Sequence, residues 1–440
     1  MISESFSGIR GIADTELTEE FVEAYARSYA RYLQDSHKNT DEKSIRIIVG
    51  RDTRPSSARI AEQMISVITA CGISVLDAGV NTTPAIELGV REYELAGGII
   101  ITGSHNPPEW NGWKFLSQTG CVLSAQESAR VIEGAHQEDG PMNPDSLVGA
   151  TEDIAVELRQ KYLDFIISLI GSSGCAAIRE SNFKVVADPD GGSAATIIKD
   201  LFEHLGVNGI YCNMELGRFP RTIEPNAQTL AYLSDIMADK GADLGAGWDC
   251  DADRVEFIIP ENTEFARRRG AMVSGQYLLG ILVDAFLTED TSGNPIVVND
   301  ATSQLVHEIA ARHGNAVHEV EVGEVNVVEK MYELQSPIAG EGSSSGAIVP
   351  PSRCRDGILA LALVLRIMAT RKKSVAEILE SLPSYTTVRT NVNCSPQIAD
   401  SIKSDLRSWW TDQAQKITST GDESGGLKIH LRDEEGRSGW

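Results

Sequence analysis

Apolar and polar positions along this chain follow a rhythm that returns three times. The segments are Ser44-IRIIVGRDTRPSSARIAEQMISVITACGISVLDAGV80, Asn182-FKVVADPDGGSAATIIKDLFEHLGVNGIYC212 and Asn294-PIVVNDATSQLVHEIAARHGNAVHEVEVG323. Each opens on a β-branched run that suits a buried strand. A polar loop follows (RDTRPSS, DPDGGS, NDATS), then an amphipathic helix pattern that a glycine ends (Gly72, Gly206, Gly314), then a second strand. Strand, helix, strand is the unit of a mostly parallel, helix-covered sheet. The spacing predicts three similar α/β domains over residues 1–150, 152–262 and 263–375, and the turn formers of Gly140-PMNPD145 mark the first boundary. A smaller α+β segment follows over 380–440. It is expected to carry a strand over Thr386–Cys394, a helix over Ile398–Ile417 and a strand over Gly426–Leu431.

Composition narrows the functional classes. The 440 residues are 42% hydrophobic and 23% charged, as in an ordinary globular protein of several domains. With 39 basic and 63 acidic residues the net charge is -24, which argues against a broad nucleic-acid surface but leaves room for a small anion in a local basic pocket. Seven scattered cysteines without a C-x-x-C pair predict reduced thiols and a cytoplasmic setting. The N-terminus has no basic start with an apolar core after it, and the apolar run Gly357–Leu365 is too short to cross a bilayer, so no membrane partner is expected.

In open α/β sheets ligands bind beyond the carboxyl ends of strands, which directs attention to the loops. In Gly245-AGWDCDADRVEFII259 the carboxylates Asp249, Asp251 and Asp253 alternate between two apolar runs. Three carboxylates this close repel unless a cation joins them, and oxygen-only ligands favour a hard ion such as Mg²⁺ or Ca²⁺. An EF-hand is excluded, since its sixth and twelfth positions would be Arg254 and Pro260. The bland alternative is a solvated acidic turn. The buried run Leu95–Ile101 leads into Thr102-GSHNPPEWNGWK114. Ser104 there is not a hydrolase elbow, because Thr102 and Asn106 stand where glycines are needed. It either caps a turn or carries a phosphoryl group, the second in keeping with Lys114 and nearby arginines. Arg10 lies between glycines in Ser7-GIRG11, and Arg51 or Arg54 could grip a phosphate bidentately. Gly340-EGSSSG346 is either a sugar-holding loop or an unstructured one.

Together these motifs resemble the phosphohexomutase family, which shifts a phosphate between the 1 and 6 positions of a hexose. Phe6-SGIRG11 is similar to the family's opening loop, Thr102-GSHNP107 to its phosphoserine loop, Asp249-CDADR254 to its metal loop and Gly340-EGSSSG346 to its sugar loop. The resemblance implies three α/β domains and a smaller fourth around a central cleft. It implies Ser104 as the phosphate carrier, which together with Asp249, Asp251 and Asp253 holds one Mg²⁺. Lys114 and His105 would transfer protons or stabilise the moving group, Arg10 and Arg254 would steady it, and Glu341, Ser343 and Gly323 would face the sugar. The substrate would be a hexose phosphate and the intermediate, also the activator, a bisphosphorylated hexose. A phosphoglucosamine mutase and a catalytically weak sugar-phosphate binder are the other readings; monomer and homodimer both stay open. Four departures stand out: Cys250 replaces a glycine, the sugar loop has one residue more than the family's glutamate-x-serine-glycine form, which leaves the register of Ser343 to Ser345 open, Glu321 replaces a basic or neutral residue, and the family's terminal phosphate-clamping loop is not reached before Trp440, Gly436-RSG439 being its nearest counterpart.

Overall fold

The computed structural model describes residues 2–37, 45–137, 148–342, 346–386, 388, 394–419, 426–432, 438 and 439. Four sheets follow one another along the chain. The first has seven strands in the order Ser3–Ser5, Gly8–Ile12, Trp110–Ser117, Gly97–Ile101, Arg46–Arg51, Ser74–Val80, Thr151–Asp153. Its last four strands are parallel, and Trp110–Ser117 runs antiparallel to both of its neighbours. The second sheet is ordered Met272–Val273, Val255–Ile258, Leu244–Trp248, Lys184–Asp188, Asn208–Tyr211, and the third Val317–Val320, Ile296–Asn299, Ala339–Glu341, Gly346–Ile348. Both are mixed, each with a parallel core and an antiparallel return. A small antiparallel sheet, Lys416–Ser419, Leu427–Arg432 and Ser438–Gly439, comes last. This is the α/β architecture with a smaller fourth unit that the three-fold rhythm predicts.

Local chemistry explains the repeat. The glycines at 72, 206 and 314 all take positive φ (84°, 67° and 82°), the left-handed turn that stops each helix before the second strand. The sheets overrun the expected segment limits slightly. Thr151–Asp153 completes the edge of the first sheet, and Met272–Val273 pairs with Val255–Ile258 of the second because edge strands take whichever extended segment passes beside them. The helix expected through Ile417 stops at Trp410; Ile417 instead pairs with Ile429 in the last sheet, where its β-branched side chain is favoured. The strand expected over Thr386–Cys394 falls mostly outside the described residues.

The helix Ala155–Ser181 is long and apolar enough to cross a membrane by length and composition, although charged residues interrupt its apolar run. It kinks at Gly171 (φ 73°) and packs against Thr83–Glu92, Ile198–Leu205 and, most extensively, Gly357–Arg371. One apolar cluster accordingly runs from Tyr162 to Leu382 through the second and third sheets and takes in Ala85 and Leu88 from the first. All seven cysteines are free.

Candidate active site

The metal-loop candidate is a turn between the wholly buried strand Leu244–Trp248 and its antiparallel return Val255–Ile258. The loop is braced from below. Ser193 donates from its backbone N and its hydroxyl to the Cys250 carbonyl (2.8 and 3.0 Å), and Arg221, paired with Asp188 at 2.6 Å, donates to the Trp248 carbonyl at 2.7 Å. Cys250 fits without strain, buried with its sulfur 3.7 Å from the Thr53 hydroxyl; the left-handed residue of the turn is Ala252 (φ 60°).

Asp249, Asp251 and Asp253 are all buried, and each offers an oxygen within 4.8 Å of the others. Asp249 Oδ2, Asp251 Oδ1 and Asp253 Oδ1 have no hydrogen-bond partner. One orphaned oxygen on each of three neighbouring buried carboxylates is costly unless a cation takes all three, and an all-oxygen set suits a hard divalent ion. The remaining oxygens are held by protein. The Thr83 hydroxyl donates to Asp251 Oδ2 at 2.7 Å, Lys114 Nζ stands 3.4 Å from Asp251 Oδ2 and 3.6 Å from Asp253 Oδ2, and Arg355 Nη2 donates to Asp253 Oδ2 at 2.8 Å. Burial, then Asp253 and Asp251, push the Asp249 carboxyl well above its usual range. Burial also opposes ionisation of Asp253, but Arg355, Lys114 and Arg254 outweigh it and hold that carboxyl well below the usual range.

Ser104 follows the fully buried strand Gly97–Ile101. It is 1% exposed and takes φ 51°, a left-handed conformation that costs a non-glycine residue about 1–2 kcal/mol. Its loop is held by Arg54, whose donors reach the carbonyls of Ser104 (2.7 Å), Asn106 (2.6 Å), Pro107 (2.5 Å) and Trp110 (2.9 Å) and Asp52 Oδ2 (3.1 Å). Arg54 thus has no N–H left for a phosphate, which corrects the expectation that it might bind one. Gly103 leaves room for it: a Cβ there would lie 2.7 Å from the guanidinium carbon. The Ser104 hydroxyl lies 3.4 Å from His105 Nδ1. Burial, with Arg254 and Arg10 adding repulsion, lowers the His105 pKa to about 3, so its imidazole is neutral.

The other cations converge on the same place. Lys114 comes from strand Trp110–Ser117, opposite Ile100; burial disfavours its charge, but Asp251, Asp253 and Glu324 more than compensate and raise its pKa. It is a firmly held ammonium. Burial and Arg254 lower the Arg10 pKa, while Asp251 and Asp253 pull the other way. Arg254 Nε lies 3.8 Å from Asp253 Oδ1 and 3.9 Å from Asp249 Oδ2.

Glu341 ends the strand Ala339–Glu341 and is buried; its Oε1 accepts from Asn299 Nδ2 (2.9 Å) and from the Gly323 backbone N (3.1 Å). Two residues assigned to the sugar therefore meet directly. Gly323 takes φ 140°, and a Cβ there would come within 3.0 Å of the Phe6 ring. Glu321 is exposed. Ser343 lies outside the described residues with Ser344 and Ser345, as do Gly436 and Arg437. The residue that sequence reasoning missed is Arg355. It joins Asp253, Glu324 (3.0 Å) and Glu341 (3.3 Å) and so links the metal-loop candidate to the sugar loop. Its signal was an arginine immediately before Asp356, which caps a helix whose run Gly357–Leu365 is apolar throughout, a position that buries a charge and obliges it to find partners.

Three buried carboxylates that could together hold a cation, ringed by fixed positive side chains and set at strand ends, form a site suited to phosphorylated small molecules. Sequence profiles for α/β/α domains I, II and III of phosphoglucomutase/phosphomannomutase match residues 4–141, 160–262 and 274–385. A phosphoglucomutase/phosphomannomutase of Thermococcus kodakarensis is 32% identical over 388 residues, 87% of this chain and 80% of that protein. A phosphoglucosamine/phosphogalactosamine mutase of Sulfurisphaera tokodaii is 27% identical over 425 residues, 94% and 88% of the two chains. Among solved structures, a phosphoglucomutase/phosphomannomutase family protein of Burkholderia thailandensis superposes with a TM-score of 0.76 at 19% identity, covering 100% of this chain and 93% of its own. The chain belongs to the phosphohexomutase family, and it is an isomerase of the intramolecular phosphotransferase kind.

Proposed function

We propose that this enzyme interconverts the 1- and 6-phosphates of glucose or mannose through phosphorylated Ser104. In the first step the phosphoryl group leaves Ser104 Oγ for the free hydroxyl of the sugar monophosphate. The Oγ–P bond breaks, the sugar O–P bond forms, and the hydroxyl proton passes to the serine side. The bisphosphorylated hexose then turns over and returns its original phosphate to Ser104, which restores the phosphoserine and frees the isomeric monophosphate.

The observation that carries this reading is the three orphaned oxygens of Asp249, Asp251 and Asp253. They would hold one Mg²⁺ together with the Ser104 phosphate; the ion, when bound, supplies charge neutralisation for phosphoryl transfer. Lys114, a firmly held ammonium, stabilises the moving phosphoryl group by its charge. His105, beside the Ser104 hydroxyl, is neutral but with a pKa of about 3 a weak base, so it orients that hydroxyl more than it takes up the proton. Arg10 and Arg254 steady the phosphoryl oxygens. Glu341, with the Gly323 turn, accepts from sugar hydroxyls, and Ser343 is assigned to them as well. Hydroxyls at C3 and C4 can be gripped either way round, which explains how one site accepts both orientations.

Ser104→Ala tests the reading. The variant should carry no phosphate by intact mass and should not convert glucose 1-phosphate or mannose 1-phosphate in a coupled assay; ordinary turnover would refute it. Glucosamine 1-phosphate belongs in the same assay, because the Sulfurisphaera relative is an amino-sugar mutase.

A further inference from the structure

We infer that Arg355 is a positioning residue that makes cation binding at the aspartate trio depend on the state of Glu341. The inference rests on the reading of these two sites given above.

Arg355 precedes the helix Gly357–Arg371, which Asp356 caps by accepting from the backbone N of Ile358 and Leu359. The capped helix fixes the arginine's backbone, and the Arg355 N–H donates to Glu324 Oε2 at 2.9 Å. The side chain, 8% exposed, then spans three carboxylates from three different elements. Nε donates to Glu324 Oε2 at 3.0 Å, Nη2 to Asp253 Oδ2 at 2.8 Å, and Nη1 lies 3.3 Å from Glu341 Oε2. Room for it is built in, because a Cβ at Gly346 would sit 2.2 Å from Arg355 Cδ.

One positive charge is thus divided among three negative ones in a buried place. What Arg355 gives to Asp253 it withholds from Glu341. A divalent cation at the free Asp253 Oδ1 and Arg355 at Oδ2 draw on the same carboxylate charge and repel each other, and Glu341 and Glu324 offset that repulsion by holding part of the guanidinium's charge. When Glu341 is replaced by a neutral side chain, Arg355 concentrates on Asp253 and the cation meets a less compensated positive charge. Lysine in its place would supply a point charge without the fork that reaches three acceptors.

The test is a double-mutant cycle read by Mn²⁺ binding alone, followed by electron paramagnetic resonance of the free ion. In the otherwise wild-type enzyme Glu341→Gln should weaken Mn²⁺ binding about tenfold, the size expected of a contacting pair. In the Arg355→Gln background the same change should alter it less than about threefold, the remainder being direct Coulomb attraction. Equal factors in the two backgrounds would overturn the inference. If Arg355→Gln does not fold, Arg355→Lys is read by the same criterion. Asp251→Asn separates the two levels of the argument. If wild-type Mn²⁺ binding is absent, or survives that change, the metal-site reading itself has failed; if binding is lost with Asp251 but the cycle shows no coupling, only the role of Arg355 has.

Discussion

Arg54→Met would remove a brace from a buried place. Methionine follows the arginine only as far as Nε, so Cζ, both Nη and all five guanidinium N–H groups are lost. Asp52 keeps hydrogen bonds from Ser57 Oγ, Gly103 N and the backbone N of residue 54, yet its buried charge loses its counterion. The carbonyls of Ser104, Asn106, Pro107 and Trp110 lose a charged donor. A hydrogen bond to a charged group contributes about 1.5–3 kcal/mol, and five cannot be summed because they share one side chain. Removing one partner of a buried pair costs about 3–5 kcal/mol, a large part of the ~5–15 kcal/mol that holds a domain together. The loss falls on the loop that keeps Ser104 at φ 51°, so the strained conformation should relax. Urea unfolding followed by tryptophan fluorescence, with Trp110 and Trp113 beside the loop, reads the stability, and phosphate content by intact mass reads the serine. A shift equivalent to less than about 1 kcal/mol, with phosphate content unchanged, would refute the role given to Arg54. Arg54→Lys should recover only a small part, since an ammonium has three donors and no planar fork.

Asp251→Asn should slow turnover by orders of magnitude and raise the Mg²⁺ needed for half activity, while an unchanged Mg²⁺ titration would count against the trio as ligands. His105, with its folded pKa near 3 against 6.5 when unfolded, stays neutral where the unfolded chain takes up a proton. Its contribution to stability is therefore intact above pH 6.5 and is lost as pH falls through the window down to about 3. Urea midpoints at pH 7, 5 and 4 should fall less steeply for His105→Gln than for wild type, and parallel curves would show that His105 does not titrate this way. Gly112→Ala would put a Cβ 1.9 Å from the Ile9 carbonyl oxygen, inside the strand pairing that carries Arg10 and Lys114. A loss of about 1–3 kcal/mol or more is expected, and a melting temperature equal to wild type would contradict that geometry.

The repeat was legible because periodicity and punctuation are local: β-branched runs, an amphipathic turn of helix and a left-handed glycine each act within a few residues. The aspartate trio was legible for the same reason, its three ligand candidates lying within five positions. Arg355 was not, because its meaning lies in Asp253, Glu324 and Glu341, which only the folded sheets bring together. Arg54 misled for a related cause: an arginine in a polar loop looks free until the carbonyls it satisfies are known. The overrun of the helix toward Ile417 shows the limit of apolar spacing, which cannot tell a helix's last turn from a strand whose partner, Ile429, comes later in the chain.

The apolar cluster that runs from Tyr162 to Leu382 has a consequence for how the molecule breathes. Because the helices Ala155–Ser181 and Gly357–Arg371 lie against each other inside it, the second and third sheets share a single keel. The gap between Asp253 on one sheet and Glu341 on the other is then set by packed side chains and not by a hinge, which keeps it short enough for one arginine to bridge. Calorimetry should register these two sheets as a single melting unit, and a cut in the connecting backbone should leave them bound to each other. Architecturally they are two domains; mechanically they are one chassis, on which the aspartate trio and Glu341 are mounted at a fixed wheelbase.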